Sequence, residues 1–278
     1  MNQTALFDLS DEPGPDAASA TLSASVLRQA HDVAPRTRLV STAGSVAQRV
    51  DAIDWAHIEK ELDQQGCATV PGLVTAEECD ALTALYGHDD LYRSRVVMAR
   101  HGFGRGEYKY FAYPLPDLVG DLRSTFYPRL VPLANRWNAL MHVDVRYPAT
   151  HDAFVRRCHA AGQMRPTPLI LQYGKDDYNC LHQDLYGEHV FPLQIAILLS
   201  APGDDFTGGE FVMTEQRPRM QSRVEVVPLS KGDAVIFAVN DRPVQGVRGA
   251  YRVKLRHGVS RLRSGHRHTL GVIFHDAQ

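Results

Sequence analysis

The 278-residue chain is short of the features that define a protein by a covalent or compositional device. Its four cysteines, Cys67, Cys79, Cys158 and Cys180, show no Cys-x-x-Cys spacing, so neither a zinc knuckle nor a disulfide framework is indicated. Reduced, mostly buried thiols are expected instead. No stretch approaches the roughly 18 uninterrupted apolar residues of a membrane span. The opening residues, MNQTALFDLSDEPGPD, lack the basic and apolar regions of a secretory leader, so a cytoplasmic protein with no membrane partner is expected. There is no internal repeat, helix-turn-helix or zinc-finger spacing, which leaves a non-catalytic DNA-scaffold role without a motif. Net charge is only −2, so no chain-wide excess of one sign points to a partner.

What is present is ordinary in bulk, at 44% hydrophobic and 22% charged residues, and uneven in detail. Asp8, Asp11, Glu12 and Asp16 place −4 in the first sixteen residues, leaving −2 − (−4) = +2 for the remainder. Two basic runs stand out: Arg93, Arg95, Arg100, Arg105 and Lys109, and then Arg252, Lys254, Arg256, Arg261, Arg263 and Arg267. Each reads as a solvated face or as a local basic surface.

Residues 1–22 are rich in Asp, Pro, Ala and Ser without periodicity, the composition of a mobile tail; 1–50 reads as flexible tail and lead-in. One domain is expected over 51–278, divided into a helical and hairpin part (51–165) and a β-rich part (166–278). Within the first part, Asp54 to Gln65 reads as a helix ended by Gly66. Thr75 and Glu78 form a capping box that starts another. Pro116 to Met141 reads as a helix interrupted near Pro128 and Pro132. Residues 95–113 read as a hairpin whose aromatics Tyr108, Tyr110, Phe111 and Tyr113 are interleaved with basic side chains. The second part breaks into short β-like runs punctuated by Gly, Asp and Pro: an α+β protein with a sandwich or barrel supported by N-terminal helices.

In Leu181-His182-Gln183-Asp184, His182 and Asp184 lie two apart, so on an extended segment both side chains leave one face and can grip one metal. Alone the pair is weak, since His88 and Asp90 repeat the spacing; that second pair reads as a solvated cap. The first pair is followed by a Gly208-Gly209-Glu210 turn, a Lys231-Gly232-Asp233 turn into an apolar strand, His257, and Arg267 ten residues later. This ordered set resembles the Fe(II)/2-oxoglutarate-dependent dioxygenases, in particular bacterial prolyl-hydroxylase-like proteins, closely from Leu169 to Phe274 and loosely from Gly66 to His275. The resemblance implies a double-stranded β-helix, or jelly roll. It also implies His182, Asp184 and His257 as metal ligands and catalytic centre, and Arg267 as the cosubstrate's fork.

Two imidazoles and a carboxylate on one face of an octahedral ion leave three positions open, enough for a 2-oxo acid and dioxygen. Tyr173, nine residues before His182, is similar to the cosubstrate-holding Tyr of the AlkB alkylation-repair enzymes. The implied cofactors are Fe(II), 2-oxoglutarate and O2, with ascorbate as a reductant. The implied reaction hydroxylates a C–H bond while 2-oxoglutarate becomes succinate and CO2.

The AlkB-like features lean toward oxidative dealkylation of damaged DNA, single- or double-stranded. Arg100, Arg105, Tyr108, Lys109 and Tyr110 are then substrate contacts, because aromatics stack bases while cations hold phosphates. The AlkB ending Arg-x-Asn-x-Thr-x-Arg is replaced here by Arg267, Thr269, Gly271 and Ile273. The ten-residue His-to-Arg interval suits prolyl-hydroxylase-like enzymes acting on protein side chains or small molecules, the alternative reading. A cupin-like module that binds metal without turnover is the third.

Overall fold

A computed structural model describes residues 44–185, 187–247 and 249–278, so the segment read as a mobile tail lies outside the described residues. The last residues of the expected lead-in are not irregular. They form helix α1 (Val46–Asp51), started by a capping box between Ser45 and Gln48 and burying Val46 and Val50. Helix α2 (Trp55–Gln65) follows, capped by the Asp54 carboxylate and stopped at Gly66, whose φ of 82° is the left-handed conformation glycine adopts at least cost. Strand β1 (Cys67–Val70) leads to α3 (Ala76–Ala84), which starts with the Thr75/Glu78 capping box.

The hairpin is built from β2 (Tyr92–Val97) and β4 (Glu107–Phe111), with a short β3 (Gly104–Arg105) between them. Helix α4 runs unbroken over Asp117–Leu140 in place of the expected interruption. Pro128 and Pro132 are four apart and share its exposed face, where the carbonyls they leave unbonded meet water. Helix α5 (His151–Ala160), which Thr150 caps, had no clear signal in the sequence.

The β-rich part contains β5 (Leu169–Tyr173), β6 (Tyr178–His182), β7 (Leu193–Leu198), β8 (Phe206–Gly208), β9 (Phe211–Gln216), β10 (Arg223–Val227), β11 (Ala234–Ala238), β12 (Asp241–Gly246), β13 (Gly249–Val259), β14 (Leu262–Gly265) and β15 (Arg267–Val272). They form two main antiparallel sheets, ordered β1-β11-β7-β15-β5-β4-β2 and β10-β9-β13-β6-β3. Along β5, β6, β7, β9, β10, β11, β13 and β15 the chain passes back and forth between the sheets, which makes the core a double-stranded β-helix. The seven-stranded sheet is covered on its outer face by helices: Phe126, Leu130 and Trp137 of α4 join Ile195, Ile197, Ile236 and Leu270 in one apolar core. Its inner face, turned toward the second sheet, carries the site. Among the described residues no helix is long and apolar enough to cross a membrane.

Candidate metal and cosubstrate site

Antiparallel pairing places His257 of β13 directly opposite His182 of β6, with ring centroids 4.2 Å apart. A register shift follows between His257 and Val259, where β13 and β6 approach so closely that a Cβ on Gly258 would lie 2.6 Å from the Asn179 carbonyl oxygen. Asp184 lies just past the end of β6. Gln183 anchors that segment by donating its amide to Asn240 Oδ1 (2.6 Å) and the Leu255 carbonyl (2.7 Å), while Asp184 is buried on the other side of the chain. His182 Nε2 is 3.4 Å from Asp184 Oδ1, and His257 Nε2 is 3.4 Å from Asp184 Oδ2. One ligand atom from each of the three side chains lies within 4.8 Å of the others, so the three could hold one ion.

Hydrogen bonding and burial ready these ligands. The His182 Nδ1–H donates to the Cys180 carbonyl at 2.8 Å, which leaves Nε2 with a lone pair facing the cluster. His257 is held between the rings of Phe211 and Phe237, and its burial, then the charge of His182, push its pKa down, favouring the neutral ligating form. Burial opposes ionisation of Asp184, yet the hydrogen bonds and charges of the two histidines outweigh it and hold the carboxyl well below the usual range. Asp184's contact likewise raises His182 against the effect of burial.

Ten residues beyond His257, Arg267 opens β15 and pairs with Tyr173 of β5. The guanidinium is 1% exposed, forms no ion pair among the described residues, and lies 5.6 Å from the Tyr173 ring centroid. Nη1 donates to Thr269 Oγ1, whereas the buried Nε has no hydrogen-bond partner. Burial lowers even this strongly basic group to about 10. The Tyr173 hydroxyl is also buried and without a hydrogen-bond partner, and burial raises its pKa. A buried cation with neighbouring unsatisfied donors fits a carboxylate, and the two-histidine, one-carboxylate set fits a divalent iron.

A cavity of about 210 Å³ joins Arg267 and Tyr173 to the three ligands, walled by Tyr108 and Tyr110 in edge-to-face contact at 5.3 Å. Strand alternation sends Lys109 the other way. Instead of facing substrate, it is buried beneath Tyr86 and Tyr92, donating to the Tyr86 carbonyl and to Asp89 at 2.6 Å. Arg100 and Arg105 are exposed and do not line the cavity; Arg105 Nε is 3.9 Å from Asp177. His268, the next residue on β15, is covered by Tyr86 at 5.7 Å. The sequence reading missed Gln194, Phe211 and Phe237. The signal for Gln194 was its place as the one amide in the apolar run Leu193–Leu198.

Residues 106–277 match the Oxygenase-NA family, described as "Oxygenase, catalysing oxidative methylation of damaged DNA", and the chain belongs to that family. The match makes the chain an oxygenase, and its two-histidine, one-carboxylate cluster is of the kind that holds a divalent iron. The chain is 48% identical over 167 residues to the uncharacterized proteins Rv2227 and MT2286 of two Mycobacterium tuberculosis strains, H37Rv and CDC 1551, covering 60% of this chain and 72% of each. Among solved structures it is similar to a Pseudomonas putida prolyl-4-hydroxylase (TM-score 0.48, 13% identity, 81% of this chain and 99% of that one). It is also similar to a 2OG-Fe(II) oxygenase family oxidoreductase of Burkholderia pseudomallei (TM-score 0.48, 16% identity, 81% and 94%).

Proposed function

We propose that this oxygenase removes alkyl groups from damaged nucleic acid by hydroxylating the carbon attached to a base. The observation that carries the reading is the pair Tyr108 and Tyr110 on the wall of the cavity that His182 also lines, a surface suited to stacking a planar base. The description of the family supports the same substrate. Exposed Arg100 and Arg105 on the same hairpin supply charge for a phosphate backbone. Oxygen insertion takes methyl groups off: R–CH3, O2 and 2-oxoglutarate give R–CH2OH, succinate and CO2, and the hydroxymethyl product on nitrogen releases formaldehyde.

In this reading His182, Asp184 and His257 hold the iron, which supplies activation of dioxygen at the expense of 2-oxoglutarate. Arg267 binds the far carboxylate of 2-oxoglutarate, and the Tyr173 hydroxyl donates to the same group. Thr269 fixes the rotamer of Arg267. Phe211 and Phe237 keep water from His257 and orient its ring.

The test is succinate formation by the Fe(II)-loaded protein with and without alkylated single-stranded DNA, beside Asp184→Ala. Stimulation by alkylated but not by undamaged DNA, lost in the variant, is expected. Succinate formation that alkylated DNA fails to stimulate would overturn the nucleic-acid substrate and favour hydroxylation of a protein side chain or small molecule.

A further inference from the structure

We infer that Gln194 is a second positioning residue for the cosubstrate, its amide donating to the carboxylate at the metal end of 2-oxoglutarate. The inner face of the large sheet is a tray with polar groups at both ends and a small centre. Pairing sets its rows: Arg267 beside Tyr173; Leu171, Thr269 and Leu198; then Leu169, Gly271 and Ala196. In the next row Gln194 is paired with Phe237. Alternation along β7 and β15 keeps Gln194, Ala196 and Leu198 on the face that carries Arg267 and Thr269.

Phe237 lies 4.5 Å from the His257 ring, so Gln194 is one neighbour from the metal ligands on the floor of the cavity. It is 3% exposed, and its Nε2 has no hydrogen-bond partner. A buried donor left unpaired costs about 1–3 kcal/mol, so the position is occupied at a loss unless a ligand accepts from it.

Two features favour the cosubstrate over the substrate as that acceptor. The six-residue offset along β15 between the Arg267 row and the Gln194 row corresponds to about 20 Å of strand. The reach of an arginine from one end and a glutamine from the other leaves room for a five-carbon diacid. The rows between are lined at their centre by Ala196 and Gly271, small residues over which the ligand's methylenes can cross.

The inference rests on 2-oxoglutarate being the cosubstrate, and the experiment separates the two. Titration calorimetry of 2-oxoglutarate into the Mn(II)-loaded protein is compared for wild type, Gln194→Leu and the near-isosteric Gln194→Glu. The competitor 4-oxopentanoate keeps the keto group and far carboxylate but lacks the metal-end carboxylate. Expected is an approximately tenfold weaker 2-oxoglutarate Kd in Gln194→Leu, a larger loss in Gln194→Glu through charge repulsion, and unchanged 4-oxopentanoate affinity in the leucine variant. Equal 2-oxoglutarate binding in wild type and both variants would overturn the role and assign the amide to the substrate. Equal weakening of both ligands would overturn it in favour of a general effect on the pocket. No binding by wild type would remove the cosubstrate itself.

Discussion

Arg267 shows how much chemistry one buried residue can hold: a charge without an ion pair, surrounded by Tyr173, Phe206 and Thr269. Arg267→Ala removes the charged half of a buried pair with the ligand, an interaction worth about 2–5 kcal/mol, so 2-oxoglutarate affinity should fall by roughly 30-fold or more. Metal affinity, measured by Mn(II) titration, should stay within about threefold of wild type. Asp184→Ala should do the reverse, abolishing metal binding, and at neutral pH it should also lower the urea-unfolding midpoint of the metal-free protein, because a carboxyl held below its usual range is one the fold stabilises in its ionised form. Iron-dependent turnover retained by that variant would exclude Asp184 as a ligand.

The elements that carry these residues are held by polar clasps as well as by apolar packing. Arg123 of α4 donates to the Ile273 carbonyl at 2.8 Å and the Phe274 carbonyl at 3.1 Å, and pairs with buried Asp276 at 2.6 Å. Asp276 also accepts from the Tyr113 hydroxyl and contacts His159 Nε2 at 2.8 Å, tying α4 and α5 to the segment after β15. Arg123→Ala strands that carboxylate and is expected to cost about 3–5 kcal/mol in urea unfolding, lowering the midpoint without changing its slope. In the hairpin, Arg95 pairs with Glu107 and Lys109 with Asp89, so these basic side chains are already engaged within the fold. Replacing Arg100 and Arg105 together with alanine should weaken binding to single-stranded DNA and reduce its salt slope by about 1–2, whereas Lys109→Met should affect stability first.

How far the sequence could be read follows from the kind of signal each element leaves. The capping box at Thr75, the stop at Gly66 and the short strands were legible because turn and cap chemistry is local. So was the His182, Asp184, His257 and Arg267 constellation, through spacing and resemblance. The orientation of Lys109 was not, because alternation gives two faces and only the packing partner chooses between them. Nor were α1 and α5, short helices whose local caps at Ser45 and Thr150 went unread, or the unbroken α4, whose tertiary burial overrides proline at exposed positions.

At the scale of the whole molecule, burial keeps several histidines neutral. His275 and His151 are lowered to about 4 by burial and then by the charge of Arg123, and His268 to about 4 by burial and then His266. The Phe191 N–H donates to His275 Nδ1, a contact that requires the unprotonated nitrogen. An unfolded histidine takes up its proton near pH 6.5, above these folded values, so the unfolded state binds more protons as pH falls. The stability they contribute is therefore complete above about pH 6.5 and is lost progressively toward pH 4. A lower urea midpoint at pH 5 than at pH 7, with the difference reduced in His275→Gln, is the expected outcome; equal midpoints would contradict it.

The proposed ligands arise from β6, the segment after it, and β13, and the pairing of His182 with His257 closes a loop of more than seventy residues. Closing a loop of that length costs conformational entropy that local contacts do not offset, so the unfolded chain offers no preformed site. On the proposed reading, metal capture follows folding. Protein prepared without iron should then be folded, and iron added afterwards should restore activity without refolding.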